Sequence, residues 1–335
     1  MDNLEKYIED FLTHIRIEKN YSEATTETYR IALSVFAQFL HEANISITDK
    51  KCIIFFISYL KEKGNSDVTI AHRLTTLKSF FNYLFKKKII SKKKLPSIEK
   101  YKTTKKIISI PTDEEVNLFI NTIENEYRTL KETFNTLDEI NERLKAKYFS
   151  LFRDLTFFTL VIATGLRLSE ALNIKREDMN WNDHTIKILG KGGKERLIFF
   201  GIERLINLFN EFFKIRDEYC IESPCLFVSY QHRKVLTPRY IQRVMKDFLD
   251  RTASSNYTPH TLRHYYATSS IEKGANIKAI AILLGHADPS TTIKMYYHIS
   301  KKILREVFET TNPFSNIVLS VKEMMKKRYE VIVNL

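Results

Sequence analysis

Thr185-Ile186-Lys187-Ile188-Leu189-Gly190-Lys191-Gly192-Gly193-Lys194-Glu195-Arg196-Leu197-Ile198-Phe199-Phe200 is the stretch that sets the fold class of this chain. Apolar and polar residues alternate from Thr185 to Leu189, and Arg196 to Phe200 forms the return. Alternation marks half-buried strands, and glycines between two such runs mark a reversal. The stretch predicts a β-hairpin whose turn carries Lys191 and Lys194. Leu226-Phe227-Val228 predicts a third short strand. Elsewhere the apolar spacing is helical. The expected class is mainly α: a helical N-terminal bundle, then a mostly helical α+β domain with a small antiparallel sheet.

Working outward, the N-terminal part reads as four helices. Leu4, Tyr7, Ile8, Phe11, Leu12 and Ile15 repeat at helical spacing, and Ser22 caps a second helix carrying Tyr29, Leu33, Phe36 and Leu40. A third helix follows Asp49 with Ile53, Phe56, Tyr59 and Leu60. A fourth follows Asp67 with Ile70, Leu74, Leu77, Phe81 and Leu84. The expected boundaries are 1–90 for this bundle, 91–110 for a basic linker, 111–311 for the second domain and 312–335 for a C-terminal tail. The second domain opens at Pro111 with Thr112-Asp113-Glu114-Glu115. Tyr127, Leu130, Phe134, Leu137, Ile140 and Leu144 predict a helical insertion over about 123–148. Helices resume from Phe152 to Ala163 and from Pro238 onward.

Charge and composition bound the function. There are 53 Lys+Arg against 40 Asp+Glu, a net charge of +13, which points to an acidic partner, nucleic acid first. Ten lysines lie between Lys86 and Lys106, with Glu99 as the single acid among them. Pro96 argues against a continuous helix there, so the segment reads as an extended linker lying along a phosphate backbone. No run of about 18 apolar residues predicts a membrane span. The acidic Met1 to Asp10 lacks the apolar centre of a secretion signal, so a cytoplasmic protein is expected. Cys52, Cys220 and Cys225 have no metal-site spacing, so no metal is expected and the thiols read as reduced.

Four pieces of the second domain carry the chemistry. They are Ala163-Thr164-Gly165-Leu166-Arg167-Leu168-Ser169-Glu170, the turn from Gly190 to Arg196, His260-Thr261-Leu262-Arg263-His264, and Leu284-Gly285-His286 followed by Tyr296-Tyr297-His298. Singly, each has a plain structural explanation: Arg167 and Glu170 as a surface ion pair, Lys191 as a turn lysine, the tyrosines as packing residues. Together they meet one demand. Attack on a phosphodiester builds negative charge that two arginines fork onto. A lysine can protonate the leaving oxygen and a histidine can accept or relay the nucleophile's proton. A phenolic oxygen gives a covalent ester that outlasts the step. No cofactor, metal or ATP is required.

The order and spacing of these pieces resemble the tyrosine recombinases (phage-type integrases), above all their Xer branch. The resemblance implies a SAM-like core-binding domain at the N-terminus and a tyrosine-recombinase catalytic domain after it. It implies Arg167, Lys191, His260, Arg263 and His286 as catalytic residues, with Glu170 supporting Arg167. The commonest Xer spacing would put the nucleophile at Met295, so Tyr296 is assigned on the longer spacing seen with a Tyr-x-His sequence, with Tyr297 as runner-up. Arg73, Lys86, Lys87, Lys88, Lys92, Lys93, Lys94, Lys102, Lys105 and Lys106 are the expected DNA contacts. The implied function is site-specific strand exchange through a 3′-phosphotyrosyl intermediate and a Holliday junction. The implied partners are double-stranded DNA with paired half-sites and three further copies of the chain, with or without an accessory protein. The tail is expected to dock on a neighbouring protomer. Chromosome-dimer resolution and mobile-element integration share these motifs. A type IB topoisomerase-like relaxing enzyme and a silent DNA-binding protein are the more distant alternatives.

Overall fold

The computed structural model describes residues 2–103, 110–136, 141–190, 193, 195–252, 257–285 and 301–314. The chain divides into two compact units, Met1–Ile107 and Ile108–Leu335.

The first unit is a bundle of α1 (Asp2–Ile17), α2 (Glu23–Glu42), α3 (Cys52–Glu62) and α4 (Asp67–Lys86). Ser22 and Ser66 start α2 and α4: each hydroxyl accepts a hydrogen bond, 3.3 Å long, from the amide of Thr25 or Thr69. Aromatic rings fill the centre, where Phe36 meets Phe56 and Phe81 edge to face at 5.0 and 6.1 Å between centroids. The expected extended linker is, as far as Tyr101, part of this unit. Ile90 is buried, and Leu95, Ile98 and Tyr101 pack against the same core. Lys92–Lys94 form a turn of 3-10 helix, and the Tyr101 hydroxyl donates to Asp67 Oδ1 at 3.1 Å. The reason lies in the apolar residues interleaved among the lysines. Burying them removes their area from water, while Lys92, Lys93 and Lys94 stay exposed.

The second unit is built around α6 (Glu142–Thr164), which is buried all round from Leu151 to Thr164. Such a helix must be surrounded. Around it stand α5 (Asp113–Thr136), α8 (Glu203–Glu218), α9 (Pro238–Arg251) and α10 (Pro259–Glu272), with the short α7 (Leu168–Leu172), α11 (Ile277–Leu284) and α12 (Lys301–Thr311). Thr237 and Thr258 cap α9 and α10, each followed by a proline in the first turn. The antiparallel sheet runs β1 (Met179–Asn180), β2 (Thr185–Leu189), β3 (Glu195–Phe199). Ile186 pairs with Ile198 and Ile188 with Arg196.

Three expectations are modified. The third strand is Met179–Asn180, not Leu226-Phe227-Val228. The latter run is fully buried, but its backbone-to-backbone hydrogen bonds go to Ile174 and Leu236 and only Val228 makes an isolated bridge, with Val235. The stretch 123–148 does not stand apart as an insertion. Its described residues are the adjoining ends of α5 and α6, of which Tyr127, Leu130 and Tyr148 belong to the main core, while Leu137 and Ile140 lie outside the described residues. The tail does not leave the domain at residue 312. Asn312 is fully buried and donates from Nδ2 to the Ala163 carbonyl, and Phe314 is buried with it.

Candidate active site

Gly165 ends α6 with φ of 62°, in the left-handed region. A Cβ there would stand 2.5 Å from the Tyr266 ring and 2.6 Å from Leu284, so glycine lets α6, α10 and α11 meet. The chain then turns through Arg167 into α7. The Arg167 amide donates to Glu170 Oε2 at 2.9 Å and its guanidinium to Oε1 at 2.8 Å. Glu170 is buried, so this is no surface pair. Arg196, reaching in from β3, forks onto the same carboxylate at 3.0 and 2.7 Å. Burial pushes the Glu170 pKa up, but the donors from Arg196 and Arg167 outweigh it and hold it at about 2.

Arg263, on α10, is 4% exposed and donates to the carbonyls of Gly165 at 2.8 Å and Leu284 at 2.7 Å. Burial, together with the neighbouring charges of Arg167 and Arg196, lowers its pKa to about 10, and it remains a cation at neutral pH. The end of α11 gathers all three arginines: Leu283 O accepts from Arg196 at 3.0 Å, Leu284 O from Arg263, and Gly285 O from Arg167 at 3.1 Å. These are the orphan acceptors of a helix C-terminus, where cations are stabilised. Two guanidiniums bond one carboxylate and a third, Arg263, lies close by, so the cluster is net positive. Arg167, with 35% of its side chain exposed, is its open face. An open guanidinium on a net-positive cluster has the geometry to receive a phosphate-shaped anion.

Residues 132–302 match the phage integrase family, and residues 8–88 match the phage integrase N-terminal SAM-like domain. The chain belongs to the phage integrase family. It is 32% identical over 316 residues to the tyrosine recombinase XerD of Staphylococcus saprophyticus, covering 92% of this chain and 99% of that one. The XerH site-specific recombinase bound to its difH substrate shares the fold with a TM-score of 0.61 at 22% identity, over 89% of this chain and 83% of that one. A lambda integrase tetramer bound to a Holliday junction does so with a TM-score of 0.61 at 15% identity, over 87% of this chain and 76% of that one.

In this tyrosine recombinase the structure brings together Arg167, Glu170 and Arg263. His260 lies one turn before Arg263 on α10 and is exposed. Lys191, His286, Tyr296 and Tyr297 lie outside the described residues, as do Lys105 and Lys106; in the chain, His286 directly follows the Gly285 that Arg167 holds. Lys86, Lys87, Lys88, Lys92, Lys93, Lys94 and Lys102 are exposed in the first unit, and Arg73 on α4 is half-buried. Among the described residues no group of three His, Cys, Asp or Glu side chains is placed to hold a metal ion, and no helix is long and apolar enough to cross a membrane.

Two neighbours of the site stand within the quoted motifs but were given no role there. His264 stacks on His260 with centroids 5.6 Å apart, and burial, with the charges of His260 and Arg263, lowers its pKa. Arg196 is the larger omission. Its signal was present in the hairpin: by strand register it falls opposite Ile188, on the face that also carries Ile186 and Ile198 toward the core. An arginine on a buried strand face needs an acceptor there.

Proposed function

We propose that Arg167, Glu170 and Arg263 form the phosphate site of a Xer-type site-specific DNA recombinase, and that Tyr296 is its nucleophile. The phenolic oxygen attacks the scissile phosphorus, the bond to the 5′ oxygen breaks, and a 3′-phosphotyrosyl ester forms. Lys191 gives a proton to the departing 5′ oxygen, and His260 or His286 takes the tyrosine's proton. The 5′ hydroxyl of the partner strand then attacks the ester and releases the tyrosine. Two such exchanges pass through a Holliday junction with no external energy source. Arg167 holds the nonbridging oxygens, and Arg263 adds positive potential from beneath. The observation that carries this reading is the packing of fixed guanidiniums around one buried carboxylate and the end of α11, with Arg167 open to solvent.

The remaining parts follow. Residues 1–90 and the lysines beyond them grip a half-site, and residues 111–311 cut it. Four copies act on two DNA duplexes, in the cytoplasm where the chromosome lies. Beyond Phe314, residues 315–335 dock on a neighbouring protomer. The XerD relative favours the Xer branch over a mobile-element integrase.

A nicked suicide half-site, which loses its 5′ fragment after cleavage, tests the reading. Wild-type protein is expected to accumulate a covalent DNA adduct, and Tyr296→Phe is expected to abolish it while binding persists. An adduct that survives Tyr296→Phe and disappears in Tyr297→Phe reassigns the nucleophile. Absence of any adduct from wild-type protein overturns the reading.

A further inference from the structure

We propose that Arg196 is a positioning residue: by holding both the Glu170 carboxylate and the Leu283 carbonyl, it keeps Glu170 from capturing Arg167 and leaves the Arg167 guanidinium a face for the phosphate. The inference rests on the recombinase reading above. Glu170 has two oxygens and two arginine suitors. Arg196 takes the carboxylate with a fork, one nitrogen to each oxygen, and is 13% exposed. Arg167 reaches only Oε1 with its side chain and uses its backbone amide for Oε2. A bidentate fork is the stronger and more directional contact, so Arg196 sets where the carboxylate points.

The third contact ties this pair to α11. Nε of Arg196 donates to Leu283 O at 3.0 Å. The chain makes room for it: Gly285 has φ of 64°, and a Cβ there would lie 2.9 Å from Nη1 of Arg196 and 3.0 Å from Cζ. Thus one side chain on β3 links the strand that follows Lys191, the carboxylate behind Arg167, and the helix that leads into His286. Take Arg196 away and Glu170 keeps its charge, buried, with Arg167 as its remaining side-chain hydrogen-bond donor among the described residues. An uncompensated buried charge draws in the nearest cation. Arg167 then closes on Glu170 and away from DNA.

This account makes an unusual demand: removing a second charge should repair the loss of the first. Arg196→Met is expected to slow single-turnover cleavage of the suicide half-site by about 10-fold or more at saturating protein, with half-site affinity held within about 3-fold. Adding Glu170→Gln to Arg196→Met is expected to restore several-fold of that loss, because the neutral amide no longer captures Arg167. A side chain that merely stabilises the fold predicts the opposite, a double variant no better than the single. Wild-type cleavage in Arg196→Met, or no recovery in the double variant, overturns the proposal. Should Arg196→Met not fold, Arg196→Lys carries the same test: it keeps the charge and loses the fork, and cleavage is expected to fall by at least about 3-fold at unchanged affinity. The link to α11 is read without DNA. Hydrogen exchange of residues 277–285 is expected to quicken in Arg196→Met and to stay unchanged in Lys187→Gln, an exposed position on β2; equal exchange in Arg196→Met and wild type refutes the clamp. A wild-type protein that captures no DNA refutes the recombinase reading, and the exchange measurement still decides whether Arg196 holds α11.

Discussion

The two units use their cations in opposite ways. In the first, Lys86, Lys87, Lys88, Lys92, Lys93 and Lys94 are exposed at the end of α4 and on the following turn. In the second, Arg153, Arg216 and Arg263 are buried, and each donates to fixed main-chain oxygens. Arg153 reaches Val228 O at 3.0 Å, Arg216 reaches the carbonyls of Leu226, Ile221 and Ser223, and Arg263 reaches those of Gly165 and Leu284. The ammonium of a lysine is a hydrated point charge on a flexible stem, suited to a phosphate backbone of any sequence. The guanidinium is a rigid fork, suited to holding one geometry. The difference teaches where chemistry is expected: among cations that have lost their freedom before the substrate arrives.

The largest effect should come from the one of them that adjoins Arg167 and Glu170. Arg263→Ala is expected to slow cleavage at saturating protein by about 10²-fold or more, since it removes the fixed positive charge beneath the phosphate and the ties that hold Gly165 and the end of α11 in place. It should also lower stability by about 1–3 kcal/mol, because the carbonyls of Gly165 and Leu284 lose their partner. Lys86, Lys87 and Lys88 changed together to Gln should leave that saturated rate within about 2-fold, as expected of side chains proposed to act on binding alone. Single-turnover rates on one half-site check both. If the lysine variant loses rate as Arg263→Ala does, the contrast between the units collapses.

Glycines sharpen the comparison on a smaller scale. Gly64 in the first unit and Gly165 in the second both have positive φ, 73° and 62°. A Cβ on Gly64 meets nothing within 4 Å, whereas on Gly165 it runs into Tyr266 and Leu284. Gly64→Ala carries only the cost of the left-handed backbone, about 1–2 kcal/mol. Gly165→Ala adds the overpacking of a crowded junction, about 1–3 kcal/mol more. Denaturant unfolding should show that gap, and Gly165→Ala should also slow cleavage, because Arg263 bonds the Gly165 carbonyl. Equal losses at both positions would mean that the junction yields.

Much of this was legible in the chain. The Ser22 cap and apolar spacing marked α2, apolar spacing after Asp67 marked α4, and alternation about Gly190 marked β2 and β3. Arg167, Glu170 and Arg263 were named from their motifs and meet in space. What stayed hidden was long-range. That Glu170 is buried depends on Arg196 arriving from a strand 26 residues away. That residues 312–314 return to the catalytic unit depends on the Ala163 carbonyl at the end of α6. The basic segment misled for another reason. Its lysines dominate the local composition, while Ile90, Leu95, Ile98 and Tyr101 supply the packing that decides where it lies. Charge points to an acidic partner for that surface, and the apolar residues decide what it rests on.

That division yields the mildest test. Lys92, Lys93 and Lys94 sit on a fixed turn but point into solvent, so changing all three to Gln should leave unfolding within about 0.5 kcal/mol of wild type. Each phosphate that is no longer neutralised should flatten the dependence of log affinity on log salt by about 0.9, so the triple variant should give up to roughly three units less slope. The weakening should be alike for a specific half-site and for random DNA, because bonds to the DNA backbone carry no sequence information. The saturated cleavage rate should not move. Binding titrations at several salt concentrations on both DNAs measure all of this. A variant that keeps the wild-type slope but loses preference for its half-site would show that these lysines read bases, and the first unit would then use fixed cations as the second does.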